Sequence, residues 1–168
     1  NAMDYDAING HTAPSVIPAP LALGEGVGAS GKDLILAVVL GYEISERLST
    51  ILPHFREIIE EGPEKGKYYM PPVHGFSYCV FGGAAAAGKI LGLDRQKMGS
   101  ALGIAGYSAP VLENVKCAHT TPMGMTKYLS SGWISVAEVT APLLAQLGYT
   151  GDDTILDGEY GFWPFLGG

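Results

Sequence analysis

At 168 residues the chain is long enough to form one domain with a sizeable core. Apolar residues make up 47% and charged residues only 16%, a composition that leaves some surface suited to something other than water. A net charge of −7 argues against nucleic acid as a partner, two cysteines cannot build a disulfide framework or an iron–sulfur cluster, and no apolar run is long enough to span a bilayer.

Asn1-Ala2-Met3 reads as a tag remnant before an initiator methionine. Residues 4–168 are then expected to form a single all-helical domain. No signal peptide is recognised, so the cytoplasm is the expected location. Strand signals are scarce, whereas one helix-to-helix junction recurs. A glycine ends an apolar helix, one residue follows, and a capping residue opens the next helix. The instances are Gly28-Ala29-Ser30, Gly92-Leu93-Asp94 and Gly148-Tyr149-Thr150. Glycine accepts the left-handed position that closes a helix, and Ser, Asp or Thr can accept a hydrogen bond from the free amides of the next. Asp33 and Asp153 stand at the third position of their helices, where a negative charge suits the helix dipole.

The spacing predicts helices over 15–27, 31–60, 75–91, 95–107, 122–147 and 151–157. Pro53 and Pro142 should break or kink theirs, since proline lacks an amide and crowds the preceding turn. The stretch from Glu60 to Pro72 reads as a surface loop. Gly82-Gly83-Ala84-Ala85-Ala86-Ala87-Gly88 carries almost no side-chain volume; exposed it would be a poor helix, and buried it would let another helix approach closely. Cys79 and Cys117 read as small, reduced and buried. The aromatic tail Tyr160-Gly161-Phe162-Trp163-Pro164-Phe165 has no evident helix to cover. The fold expected is an all-α bundle of packed hairpins around the Ala/Gly-rich helix, with no sheet and no lid domain.

Few side chains offer chemistry. His11 precedes a helix led by Pro14 and Pro18, and His74 follows the Pro71-Pro72-Val73 loop. Histidine is readily poised for proton transfer near neutral pH, although either could be an ordinary loop histidine. Lys127 lies about a turn and a half inside a helix that Thr121 should cap and Pro122 should open. It is either an anion-binding ammonium near free amides or a lysine whose stem is buried and whose tip reaches solvent. Asp4 and Asp6 could orient His11 or belong to a solvated terminus. His54 and His119 read as structural. The absence of a P-loop, a dinucleotide fingerprint, HExxH or Gly-x-Ser-x-Gly leaves cofactor-free acid–base chemistry, with no metal.

Several segments together resemble the MmgE/PrpD family, which includes 2-methylcitrate dehydratase, cis-aconitate decarboxylase and iminodisuccinate epimerase. They are DYDAINGHTAPSVIPAPLAL, SGKDLILAVVLGYEISERL, FGGAAAAGKILGLD, ALGIAGYSA, MTKYLSSGW and LAQLGYTGDDTILDGEYGF. The resemblance implies catalytic roles for Asp4, His11 and Lys127, and substrate binding by His74 and Thr126. His11 with Pro18 and Lys127 with Gly132 match the family's spacing. Ile8 stands where decarboxylase members carry a hydroxyl, and Thr12 where a proline is usual. The resemblance also implies a longer protein in which an α/β lid, absent from these residues, supplies a second lysine.

The implied activity is that of a cofactor-independent lyase on a small di- or tricarboxylate. Elimination of water is the first choice, and decarboxylation or epimerisation the alternatives. A reading from another class is a catalytically incomplete helical module that self-associates. A homodimer or higher oligomer is expected in either case, with neither nucleic acid nor membrane as partner.

Overall fold

The computed structural model describes residues 11–51, 60–67, 76–109, 121–122 and 129–165. Its helices are α1 (Ala13–Val16), α2 (Pro18–Val27), α3 (Gly31–Ile51), α4 (Cys79–Ile90), α5 (Arg95–Gly106), α6 (Leu129–Gln146) and α7 (Phe162–Phe165), with a 3-10 turn at Phe76–Tyr78 leading into α4. There is no strand among the described residues, as expected of an all-α bundle.

Two of the three repeated junctions follow the sequence reading in full. Gly28 and Gly92 take φ of 71° and 66°. Ser30 and Asp33 cap α3 reciprocally: the Asp33 amide donates to Ser30 Oγ at 3.2 Å, and the Ser30 amide donates back to the Asp33 carboxylate at 3.2 Å. The Ser30 hydrogen bonds hold the Asp33 carboxyl below the usual carboxylate range. Asp94 caps α5 by accepting from the Lys97 amide at 2.8 Å. The Lys97 ammonium donates to the Gln146 carbonyl at 3.2 Å, which satisfies an orphan acceptor at the end of α6.

The third junction departs from expectation. Gly148 has φ of 95°, but residues 151–157 form turns rather than a helix, and Thr150 caps nothing helical. Asp152 competes with the helix by accepting from the Thr154 amide at 2.9 Å and the Thr154 hydroxyl at 2.7 Å. The same bonds hold its carboxyl below the usual range. Gly103 and Gly151 also bring this segment against the backbone of α5, too close for any Cβ.

Other differences are local. The predicted helix 15–27 is divided at Ile17 into α1 and α2, each with a proline in its first turn. The helix predicted from residue 75 becomes a 3-10 turn followed by α4. Thr121 and Pro122 form a bend rather than a helix start, since the fixed φ of proline suits a turn equally well. Pro142 does not break α6, which continues to Gln146. Pro53, Cys117, His54 and His119 lie outside the described residues.

α4 is the centre of the bundle and touches α1, α2, α3, α5 and α6. Every residue from Cys79 to Gly88 is buried. A Cβ on Gly82 would overlap the Gly41 carbonyl of α3, and one on Gly83 would overlap the Glu138 carboxyl of α6. Small residues therefore set how closely the helices approach, as the Ala/Gly run led one to expect. Within the tail Phe162 is covered, contrary to the sequence reading, while Tyr160 stays 90% exposed. Phe162 is 5% exposed and packs edge-on against Phe81, with ring centroids 5.0 Å apart. Its amide donates to the Ile155 carbonyl at 2.8 Å, so the turn at 152–157 carries the aromatics back to the core.

Gly99, inside α5, has nothing within 4 Å of a Cβ. Gly99→Ala is expected to stabilise the chain by about 0.5–1 kcal/mol, because it restricts the unfolded chain and meets no obstacle in the folded one. Urea unfolding checks this, and a lowered midpoint would show that α5 is less open there than described.

Candidate active site

His11 is the sequence-predicted site residue that falls within the described part. Asp4, His74, Thr126 and Lys127 lie outside it. His11 is half-buried and precedes Thr12, which is fully buried. The Thr12 carbonyl accepts the amides of Ser15 at 3.1 Å and Val16 at 3.0 Å, which starts α1. The Thr12 hydroxyl donates to Glu46 Oε1 of α3 at 2.6 Å. A bond that short to a charged acceptor belongs to the stronger class of protein hydrogen bonds.

Thr12 is one edge of a polar layer running through the bundle. Ser45 and Glu46 enter it from α3, Tyr78 and Cys79 from the start of α4, and Ser135 and Glu138 from α6. Ser45 lies against Gly82, and Glu138 against Gly83. Burial, followed by the neighbouring Cys79, pushes the Tyr78 phenol well above its ordinary value, while the Thr12 hydroxyl opposes that shift. Burial also pushes the Cys79 thiol up, with Glu138 and then Glu46 adding to the effect. Cys79 is a free, buried thiol, as the sequence suggested.

Glu138 is the most unusual member. It is 0% exposed, and neither carboxylate oxygen has a hydrogen-bond partner among the described residues. Burial drives its pKa well above the usual glutamate value, and the nearby Ser135 opposes this weakly. The Ser135 hydroxyl, one turn back, has no hydrogen-bond partner among the described residues. No counter-charge lies against Glu138 among the described residues, so its burial favours the protonated form. Sequence reasoning passed over it, although a signal was present: Glu138 is the sole charged residue of α6.

This arrangement places titratable side chains in the interior and fixes the start of α1. No group of three or more His, Cys, Asp or Glu able to hold a metal occurs among the described residues. An open surface cleft lined by Val27, Asp33, Leu36 and Lys89 involves none of the predicted site residues.

The MmgE/PrpD N-terminal domain matches residues 2–168. The chain belongs to the MmgE/PrpD family. Among its relatives, cis-aconitate decarboxylase of Homo sapiens is 32% identical over 172 residues, covering 98% of this chain and 32% of the relative. Cis-aconitate decarboxylase of Aspergillus terreus is 31% identical over 156 residues, covering 90% of this chain and 29% of the relative. A cis-aconitate decarboxylase-like protein of Aspergillus oryzae is 27% identical over 158 residues, covering 90% of this chain and 30% of the relative. The chain thus spans about a third of the length of the curated relatives it matches. The MmgE/PrpD match includes the segment from Asp4 to Pro18 that carries His11, and the segment around Lys127.

Proposed function

We propose that this chain forms the helical part of a cofactor-independent lyase site for a small di- or tricarboxylate. The observation that carries the reading is His11, half-buried beside a threonine locked into the interior, within a family match that covers nearly the whole chain. In this reading His11 moves the proton, oriented by Asp4. Lys127, Thr126 and His74 hold substrate carboxylates, and a positive group there offsets the charge that develops during reaction.

In elimination of water, the base takes a proton from the carbon next to a carboxylate, and the leaving hydroxyl departs with a proton as water. In decarboxylation, the bond to a carboxylate breaks, carbon dioxide leaves, and the electron pair left on carbon takes a proton. Both need one proton-transfer group and cations for the remaining carboxylates. The names of the relatives favour cis-aconitate as the first ligand to try, while elimination from a citrate-like acid remains the alternative.

NMR titration of the whole chain with cis-aconitate and with citrate tests the reading. Shifts are expected around His11 and Lys127, with binding lost in Lys127→Ala and kept in His54→Ala. Shifts that avoid both segments would refute it.

A second reading is a self-associating helical module. It is favoured by exposed apolar side chains one turn apart, Ile35 and Val39 on α3 and Trp133 and Val136 on α6, with Trp133 72% exposed. Light scattering decides it, and a monomer at tens of micromolar would count against it.

A further inference from the structure

We infer that Glu46 is a positioning residue for His11, acting through the Thr12 hydroxyl; the inference rests on the carboxylate-lyase reading above. Three observations lead there. The Thr12–Glu46 hydrogen bond, 2.6 Å long, joins side chains 34 residues apart and fixes the residue next to His11. Adhesion between α1 and α3 does not require it, because Val16 already packs against Gly41 where no Cβ could fit. Glu46 is also a costly choice for a structural tie. Its second carboxylate oxygen is buried without a hydrogen-bond partner among the described residues, and an apolar side chain would avoid that desolvation.

What the carboxylate adds is direction. Thr12 begins α1 through its carbonyl, and Glu46 holds its side chain on the interior side. Together these bonds set the backbone rotation at residue 12 and hence where residue 11 projects. Tyr78 is buried, and its phenol interacts with the Thr12 side chain. Ser49 donates to the Glu46 carbonyl at 2.7 Å, a bond that stays within α3 and does not occupy the carboxylate. Glu46 itself need not touch the substrate. Misplacing a proton-transfer group by about 1 Å is enough to lower its effectiveness severely.

The test compares Thr12→Val, Thr12→Ser, Glu46→Gln and Glu46→Ala in the whole chain. Affinity for cis-aconitate and the His11 ring resonances are read by NMR, and stability by thermal melting. Thr12→Val and Glu46→Ala are expected to weaken binding about tenfold, the effect of losing one hydrogen bond to a charged group. Thr12→Ser keeps the donor and should stay within about twofold of the parent, with Glu46→Gln between these limits. The His11 ring signals should move in the first pair and hold in Thr12→Ser. Lower melting temperatures with unchanged affinity and unchanged His11 signals would reduce the bond to a structural tie and overturn the inference. If the parent chain itself binds no cis-aconitate, the lyase reading fails on that result, and the His11 signals still decide the role of Glu46.

Discussion

Glu138→Met is expected to stabilise the chain at neutral pH, and by more as the pH rises. Glu138 is fully enclosed beside Gly83, with no partner for either oxygen among the described residues. Burial holds its pKa well above the ordinary glutamate value, so the folded chain keeps a proton that the unfolded chain releases. The folded state then binds more protons, and stability falls as pH rises. The fall begins near the ordinary glutamate range, about 4.3, and ends only when pH passes the raised folded-state value. Within that window the slope approaches about 1.4 kcal/mol per pH unit for one proton. Cys79, which faces Glu138 and whose own thiol is pushed up by burial, has the same sign but acts only at alkaline pH.

Methionine is unbranched, of similar reach and without a proton to lose, so Glu138→Met should remove the slope. It should gain about 2 kcal/mol near pH 7, since replacing a buried polar group that has no partner among the described residues by an apolar one is commonly favourable. Glu138→Gln should remove the slope without the full gain. Asp33 and Asp152 do not confuse the result. Their carboxyls sit below the usual range, so their contributions are lost only as pH falls through more acid values. Urea midpoints across pH 5 to 8 check this, and parallel profiles for parent and Glu138→Met would refute it.

Gly82→Ala is expected to cost about 3 kcal/mol, equivalent to a melting temperature roughly 6–12 °C lower for a chain of this size. An added methyl would meet Ser45 Oγ and the Gly41 carbonyl. Ser45 could turn away, but Gly41 offers backbone, so α3 and α4 would have to separate. Separation would loosen the contact of Val16 with Gly41 as well. Ordinary helix propensity points the other way, because alanine is the better helix former by about 1 kcal/mol. A neutral or stabilising outcome would mean that the two helices are not held at the distance described. Calorimetry of parent and variant is sufficient.

Much of this fold was legible because its signals are local. A glycine that ends a helix and a Ser or Asp that opens the next act within a few residues, and Ser30 with Asp33, like Asp94, do what their spacing implies. The Ala/Gly run of α4 was legible for a different reason: so little side-chain volume has no stable exposed use. Residues 151–157 misled because two forces outside the helical pattern act there. Asp152 bonds its own neighbourhood, and Gly103 admits the segment to the backbone of α5 from 48 positions away in sequence. Phe162 reads as unpartnered until the turn returns it to Phe81.

The candidate site divides in the same manner. His11 stood out through its residue type and its family spacing. Thr12 is chemically ordinary, and Glu46 sits near Glu43 and Arg47, an exposed ion pair on the same helix, where a solvated reading is natural. Only packing shows that one glutamate turns inward while the other stays out. Glu138 differs again, since a lone charge in an apolar helix is visible in sequence, but its complete burial is not.

From Gly82 to Gly88, α4 has no side chain with a rotatable χ angle. Ordering this stretch costs backbone entropy and almost no side-chain entropy. The same feature removes any alternative rotamer by which the neighbouring helices could slide or take up a misfit. This stretch of α4 therefore packs through backbone and methyl groups alone, and any rearrangement of the fold has to come from the elements arranged around it.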